Sequence, residues 1–95
     1  MNVINLTEKE FLHTVADFRS PHTEWHYFGN HPAVIDFYAG WCGPCKALAP
    51  ILEELADVYK DQIVFYKVDV DKCEDLAQAY GIRSIPTTLF IPMKG

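Results

Sequence analysis

Trp41-Cys42-Gly43-Pro44-Cys45-Lys46 stands between two segments of different periodicity, and their reading decides the fold. On its N-terminal side, Ala33 to Ala39 is a nearly continuous apolar run, as expected of a strand buried on both faces. On its C-terminal side, a helix is predicted from Cys42 to about Tyr59. Pro44 falls in its first turn, where a missing backbone N–H costs nothing. Pro50 falls inside it, where the lost donor predicts a kink. Both cysteines therefore sit where a buried strand turns into a helix.

Outward from this junction the same two periods recur. Asn2 to Leu6 alternates and predicts a short strand. Thr7 is an N-cap for a helix from Glu8 to about Phe18, with Glu8 and Glu10 in its first turn and Phe11, Leu12, Val15 and Phe18 at helical spacing. Residues 19–32 read as a loop whose Trp25, Tyr27 and Phe28 are expected to pack over the first helix or a sheet edge. Ile63 to Val70 predicts a second buried strand. Lys72 to about Tyr80 predicts a helix stopped at Gly81, and Thr87 to Ile91 a last strand. The order β-α-β-α-β-α-β implies a layered α/β fold.

Composition narrows the function classes. The chain has 95 residues, 49% of them hydrophobic, which suits one small packed domain spanning 1–95 rather than a disordered segment. A net charge of −5 supplies no basic surface for a phosphate backbone, so no nucleic-acid partner is expected. The apolar runs fall well short of the ~18 residues that span a bilayer, and Met1 to Glu10 lacks the basic-then-apolar pattern of a secretory leader. No membrane association is expected. Three cysteines, Cys42, Cys45 and Cys73, are too few and too unevenly spaced for a secreted disulfide framework.

The chemistry lies in the cysteine pair. A helix N-terminus presents unpaired N–H groups and about half a positive charge, both of which favour a thiolate. Lowering a thiol pKa from about 8.5 to about 7 takes roughly 2 kcal/mol. A helix end supplies about 0.3–2 kcal/mol, so direct hydrogen bonds to the sulfur are expected as well. Two residues between the cysteines let the sulfurs meet in the first turn. Cys42 is expected to be exposed and to attack a substrate disulfide. Cys45, one turn deeper, is expected to be shielded and to resolve the mixed disulfide. The competing readings are half of a zinc site, completed by Cys73 or by one of His22, His26 and His31, and a pair of inert buried thiols. Asp36, inside the buried strand, is a carboxylate whose pKa burial should raise. It also fits a satisfied structural role.

Trp41-Cys42-Gly43-Pro44-Cys45-Lys46 resembles the active-site sequence of the thioredoxin family. Further matching stretches are Asp36-Phe37-Tyr38-Ala39, Ala49-Pro50-Ile51-Leu52, Lys67-Val68-Asp69-Val70-Asp71 and Tyr80-Gly81-Ile82-Arg83-Ser84-Ile85-Pro86-Thr87. The resemblance covers about Val3 to Gly95. It implies a thioredoxin fold, three α/β/α layers around a mixed sheet of about four strands, and a redox-active Cys42–Cys45 disulfide with neither metal nor cofactor. It further implies that Asp36 accepts a proton from the resolving cysteine and that Lys67 is that carboxylate's partner. Pro86 is implied to follow a cis bond facing the cysteines, with Trp41, Gly43, Pro44, Ile85 and Pro86 forming the surface on which protein disulfide substrates dock. A flavin-dependent thioredoxin reductase would recharge the pair in the cytoplasm.

Departures from the family accompany the likeness. Residues 19–32 look longer than the corresponding loop. Tyr38 stands where many relatives have Trp, and Cys73 reads as a plain helix-start thiol. Beyond Met93-Lys94-Gly95 the family would continue into a strand and a helix, so residues 87–91 are expected to form an open edge through which the chain could self-associate. The alternative to a disulfide reductase is accordingly a non-catalytic thioredoxin-fold module used in assembly.

Overall fold

Thr7 begins the helical part of the chain with a reciprocal cap. Its hydroxyl accepts the Glu10 N–H at 3.1 Å, and the Glu10 carboxylate accepts the Thr7 N–H at 2.9 Å, which satisfies two donors that the helix itself leaves unpaired. The chain is described by a computed structural model over residues 2–20 and 25–93. Within these lie β1 (Val3–Asn5), α1 (Glu8–Thr14), β2 (Ala33–Tyr38), α2 (Gly43–Val58), β3 (Val64–Asp69), α3 (Glu74–Ala79) and β4 (Thr87–Ile91).

The strands form one mixed sheet in the order β1-β3-β2-β4. β1 and β2 both run parallel to β3, and β4 runs antiparallel to β2. The strand at the centre of the site, β2, is buried on both faces, as its apolar run requires. Its side chains alternate between two cores. Ala33, Ile35 and Phe37 pack with Phe11 and Val15 of the first helical segment and with Leu76 of α3. Val34 packs with Leu52 and Ala56 of α2, together with Val3 and Phe65. Helices therefore cover both faces, in the three-layer α/β/α arrangement that the resemblance implies. Residues 87–91 form an edge strand of this sheet, and Phe90 is 71% exposed.

Several boundaries differ from the sequence reading. α1 stops at Thr14 rather than Phe18. The Asp17 carboxylate accepts the Arg19 N–H at 3.0 Å and the Asp17 carbonyl accepts the Ser20 N–H at 3.1 Å, a local turn that competes with the helix. The apolar period survives the turn, because Phe18 still meets Phe11 edge-on at 6.1 Å. α3 begins at Glu74 rather than Lys72, since Asp69 turns the chain by accepting the Asp71 N–H on its carboxylate and the Lys72 N–H on its carbonyl. It ends at Ala79 with Tyr80 as C-cap, and Gly81 follows with a φ of 65° that suits a residue without a Cβ. α2 stays helical through Pro50.

The loop aromatics divide. Tyr27 packs against the core and donates its hydroxyl to the His31 carbonyl at 2.6 Å. Trp25 meets Tyr80 edge-on at 6.2 Å and remains half exposed. Phe28 donates its N–H to the Val15 carbonyl just after α1, and its half-exposed ring meets His26 edge-on at 5.4 Å. His22 lies outside the described residues, as do Lys94 and Gly95.

α3 is short, and Cys73 at its N-cap makes no side-chain cap bond. Glu8 of α1 supplies the missing acceptor, taking the Leu76 N–H on its Oε2 at 2.9 Å. Hydrogen bonds to a charged group contribute about 1.5–3 kcal/mol. Glu8→Ala should therefore cost about 1–2 kcal/mol in a urea melt, and Glu8→Gln, which keeps an acceptor, clearly less.

Candidate active site

β2 ends at Tyr38, and the chain turns at once: the Cys42 N–H donates to the Ala39 carbonyl at 3.2 Å. Cys42 is the extended N-cap of α2, and its carbonyl accepts the Lys46 N–H to open the helix. This puts the Cys45 N–H 3.2 Å from the Cys42 sulfur, in the place of a capping bond. The two cysteines form a disulfide with their Cα atoms 5.3 Å apart.

The expected difference in exposure is not found. Cys42 is 4% exposed and Cys45 3%. The cause is a neighbour distant in sequence. The Ile85 carbonyl lies 3.8 Å from the Cys42 sulfur, and Ile85, Tyr38 and Val70 pack around the pair with Ala39. What distinguishes the cysteines is the donor that each faces: the Cys42 sulfur receives a helix N–H. The Ile85-Pro86 bond is cis. Trp41, Gly43 and Pro44 are exposed beside the disulfide, with Ile85 and Pro86 half-buried.

Beneath the pair, Asp36 is 4% exposed, and its Oδ1 has no hydrogen-bond partner among the described residues. Loss of water pushes its carboxyl above the usual carboxylate range, and the positive charge of Lys67 draws it partly back. Lys67 faces Asp36 directly in the β2–β3 register. The two form no contact ion pair, since Arg19–Asp17 is the one salt bridge among the described residues. A cavity of about 150 Å³ joins Asp36 to Cys45, with Tyr38, Lys46 and Lys67 in its walls. A second, of about 130 Å³, reaches Asp36 from the side of Pro50 and Glu53. Either is roomy enough to admit water.

One residue of the site was not singled out from the sequence. Asp71 accepts the Trp41 indole N–H on its Oδ2 at 2.8 Å and so fixes the orientation of a ring that is 71% exposed. Parallel pairing explains the meeting. Tyr38 and Asp69 are register partners at the ends of β2 and β3, so the residues just beyond them emerge at the same edge. The signal exists in the sequence only once that register is known. Cys73 lies away from the disulfide, buried at the start of α3, where burial and then the charges of Glu8 and Asp69 push its thiol up. Among the described residues no three His, Cys, Asp or Glu side chains gather as a metal would need, and no helix is long and apolar enough to cross a membrane.

A disulfide closed across the first turn of a helix, at the carboxyl end of a central strand in an open α/β sheet, defines a dithiol–disulfide oxidoreductase. The thioredoxin family model matches residues 2–95, and the chain belongs to that family. It is 52% identical over 92 residues to a thioredoxin of Borreliella burgdorferi, an alignment covering 97% of this chain and 78% of the relative. It is 42% identical over 87 residues to thioredoxin C-2 of Corynebacterium nephridii, covering 92% and 70%. A thioredoxin of Mycoplasmoides gallisepticum is 56% identical over 61 residues, covering 64% and 60%.

Because the folded chain holds the Asp36 proton more tightly than the unfolded chain does, Asp36 favours folding most below the ordinary carboxylate value of about 3.9. That contribution is lost as pH rises through the raised folded value. Asp36→Asn should therefore be more stable than the parent at about pH 7, with a gain that shrinks as pH falls towards about 4. Urea melts across pH would show it, and a gain independent of pH would contradict it.

Proposed function

We propose that this oxidoreductase acts as a general reductant of protein disulfides, with Cys42 as nucleophile and Cys45 as resolving thiol. The observation that carries the assignment is the Cys45 N–H directed at the Cys42 sulfur at the start of α2, an arrangement that favours a thiolate on Cys42 and not on Cys45.

In the reduced chain, the Cys42 thiolate attacks one sulfur of a substrate disulfide. A mixed disulfide forms, the substrate S–S bond breaks, and the departing thiolate takes a proton from water. Cys45 then gives its proton to the Asp36 carboxylate, through the cavity that both line, and attacks the Cys42 sulfur. The second substrate thiolate leaves and is protonated. Two electrons pass to the substrate, and the chain is left with its Cys42–Cys45 disulfide. Lys67 acts on Asp36 by charge.

Trp41, Gly43, Pro44, Ile85 and Pro86 are proposed as the docking surface. Pro86 has no N–H of its own, which leaves the Ile85 backbone available to an extended substrate segment. A flavin-dependent thioredoxin reductase is the proposed electron donor. The proposed setting is the reducing cytoplasm, in keeping with the free thiol of Cys73. Residues 1–95 are proposed to act as one domain, with β4 as a surface for self-association that sedimentation at increasing concentration would test.

Reduction of insulin with dithiothreitol as electron source tests the reading, since a non-catalytic module would give no turnover. Cys42→Ser should abolish activity, and Cys45→Ser should accumulate mixed disulfides visible by mass spectrometry. Asp36→Asn should slow resolution about 10- to 100-fold, within the range of general-base effects. Faster labelling of Cys45 than of Cys42 by iodoacetamide near neutral pH would reverse the assignment.

A further inference from the structure

We infer that Tyr38 is a positioning residue for the proton-transfer pair: its ring holds the Lys67 ammonium at the mouth of the Asp36 cavity. The inference rests on the proposed role of Asp36 and adds a residue to which no part in it has been given.

The geometry starts from an unclosed ion pair. Lys67 faces Asp36 across the β2–β3 register, and the carboxylate Oδ1 has no partner, yet the ammonium does not come within contact distance of it. Attraction to the carboxylate is thus not what fixes the ammonium. Its Nζ lies 5.7 Å from the centre of the Tyr38 ring, inside the range over which an aromatic face attracts a cation.

The ring is itself held at both ends. Its backbone belongs to β2, and its hydroxyl donates a long hydrogen bond, 3.4 Å, to Oδ1 of Asn5. Asn5 belongs to β1 and is the register partner of Lys67 on β3. Because β3 lies between β2 and β1, the side chain of Tyr38 crosses the strand that carries Lys67. Tyr38 and Lys67 also share the wall of the cavity that joins Asp36 to Cys45. Burial, followed by the charges of Asp69 and Asp36, pushes the phenol up, so the ring that meets the ammonium is neutral.

An ammonium released from the ring would move to water, which solvates it strongly. Asp36 would lose part of the positive field that favours its ionised form. The other charged or titratable groups among the described residues that line the cavities beside Asp36 are Lys46, Glu53 and, in the reduced chain, Cys45, all on α2. Its neighbour on β4, Thr88, is neutral. None of these would move with the ring.

The test is the titration of the Asp36 carboxyl, followed by carbon-13 NMR in the oxidised and reduced protein. Tyr38→Leu removes the ring. Replacement of Tyr38 by pentafluorophenylalanine keeps its shape but reverses the charge distribution of its face, which guards against a Leu variant that fails to fold. Both should raise the Asp36 midpoint by about half a unit to one unit, a change of about 3- to 10-fold in its protonation equilibrium. Tyr38→Phe should leave the midpoint near that of the parent. In a Lys67→Met background, Tyr38→Leu should have no further effect.

An unmoved midpoint in the fluorinated variant overturns the inference, as does an equal shift in Tyr38→Phe or a shift that persists without Lys67. The pH profile of mixed-disulfide resolution separates this from the underlying reading. If the midpoint moves and the profile does not, Tyr38 positions Lys67 but Asp36 is not the proton acceptor.

Discussion

The site depends on the parallel pairing of β2 with β3. Six consecutive register pairs, from Ala33 with Val64 to Tyr38 with Asp69, hold the two strands together. That one ladder sets Asp36 opposite Lys67, brings Trp41 to Asp71 and carries the N-terminus of α2 to the carboxyl edge of the sheet. A slip of one residue would turn every side chain of β2 to the opposite face. Asp36 would then enter the core now formed by Ile35 and Phe37 with Phe11 and Leu76, away from α2 and both cysteines. The apolar residues on each face of β2 therefore fix the register and, through it, the place of the one buried charged residue among the described residues.

That charge is set against stability. The carboxylate is buried, with one oxygen unpartnered among the described residues and a lysine that approaches without closing, an arrangement that favours the protonated form. Packing would be better served by an apolar side chain. Beside a disulfide closed over a helix start, a carboxyl held above the usual carboxylate range offers a proton site that a leucine would not. The cavities flanking Asp36 leave a way for protons through an otherwise close-packed layer.

The periodic parts of the fold were legible because they rest on local pattern. The two apolar strands, the alternation of β1, the Thr7 cap and the glycine stop after α3 all follow from residues within a few positions of one another. Helix ends were less legible. Asp17 and Asp69 divert neighbouring N–H groups into turns, and the apolar period of Phe11, Val15 and Phe18 reads through the first of these as if the helix continued. Cys42, Cys45 and Asp36 stand out by chemical type, and Lys67, Trp41, Gly43, Pro44, Ile85 and Pro86 by resemblance to a family, but the surroundings of all of them do not. Cys42 reads as exposed until Ile85, more than forty residues later, is known to lie over its sulfur. Asp71 has no mark in the sequence that ties it to Trp41. The cis bond before Pro86 came from resemblance to a family, since nothing local distinguishes it from other prolines.

The antiparallel direction of β4 bears on the order in which this site comes into being. Because β4 runs against β2, its beginning rather than its end reaches the disulfide, and it brings Ile85 and Pro86 there. Cys42 and Cys45 are synthesised before Lys67, Asp71 and Ile85. During that interval the nascent chain carries two thiols whose tuning environment does not yet exist, with a reactivity nearer that of free cysteine, whose pKa is about 8.5. The surroundings described for the disulfide are complete only once β4 is in place, so a partly synthesised or misfolded chain lacks them.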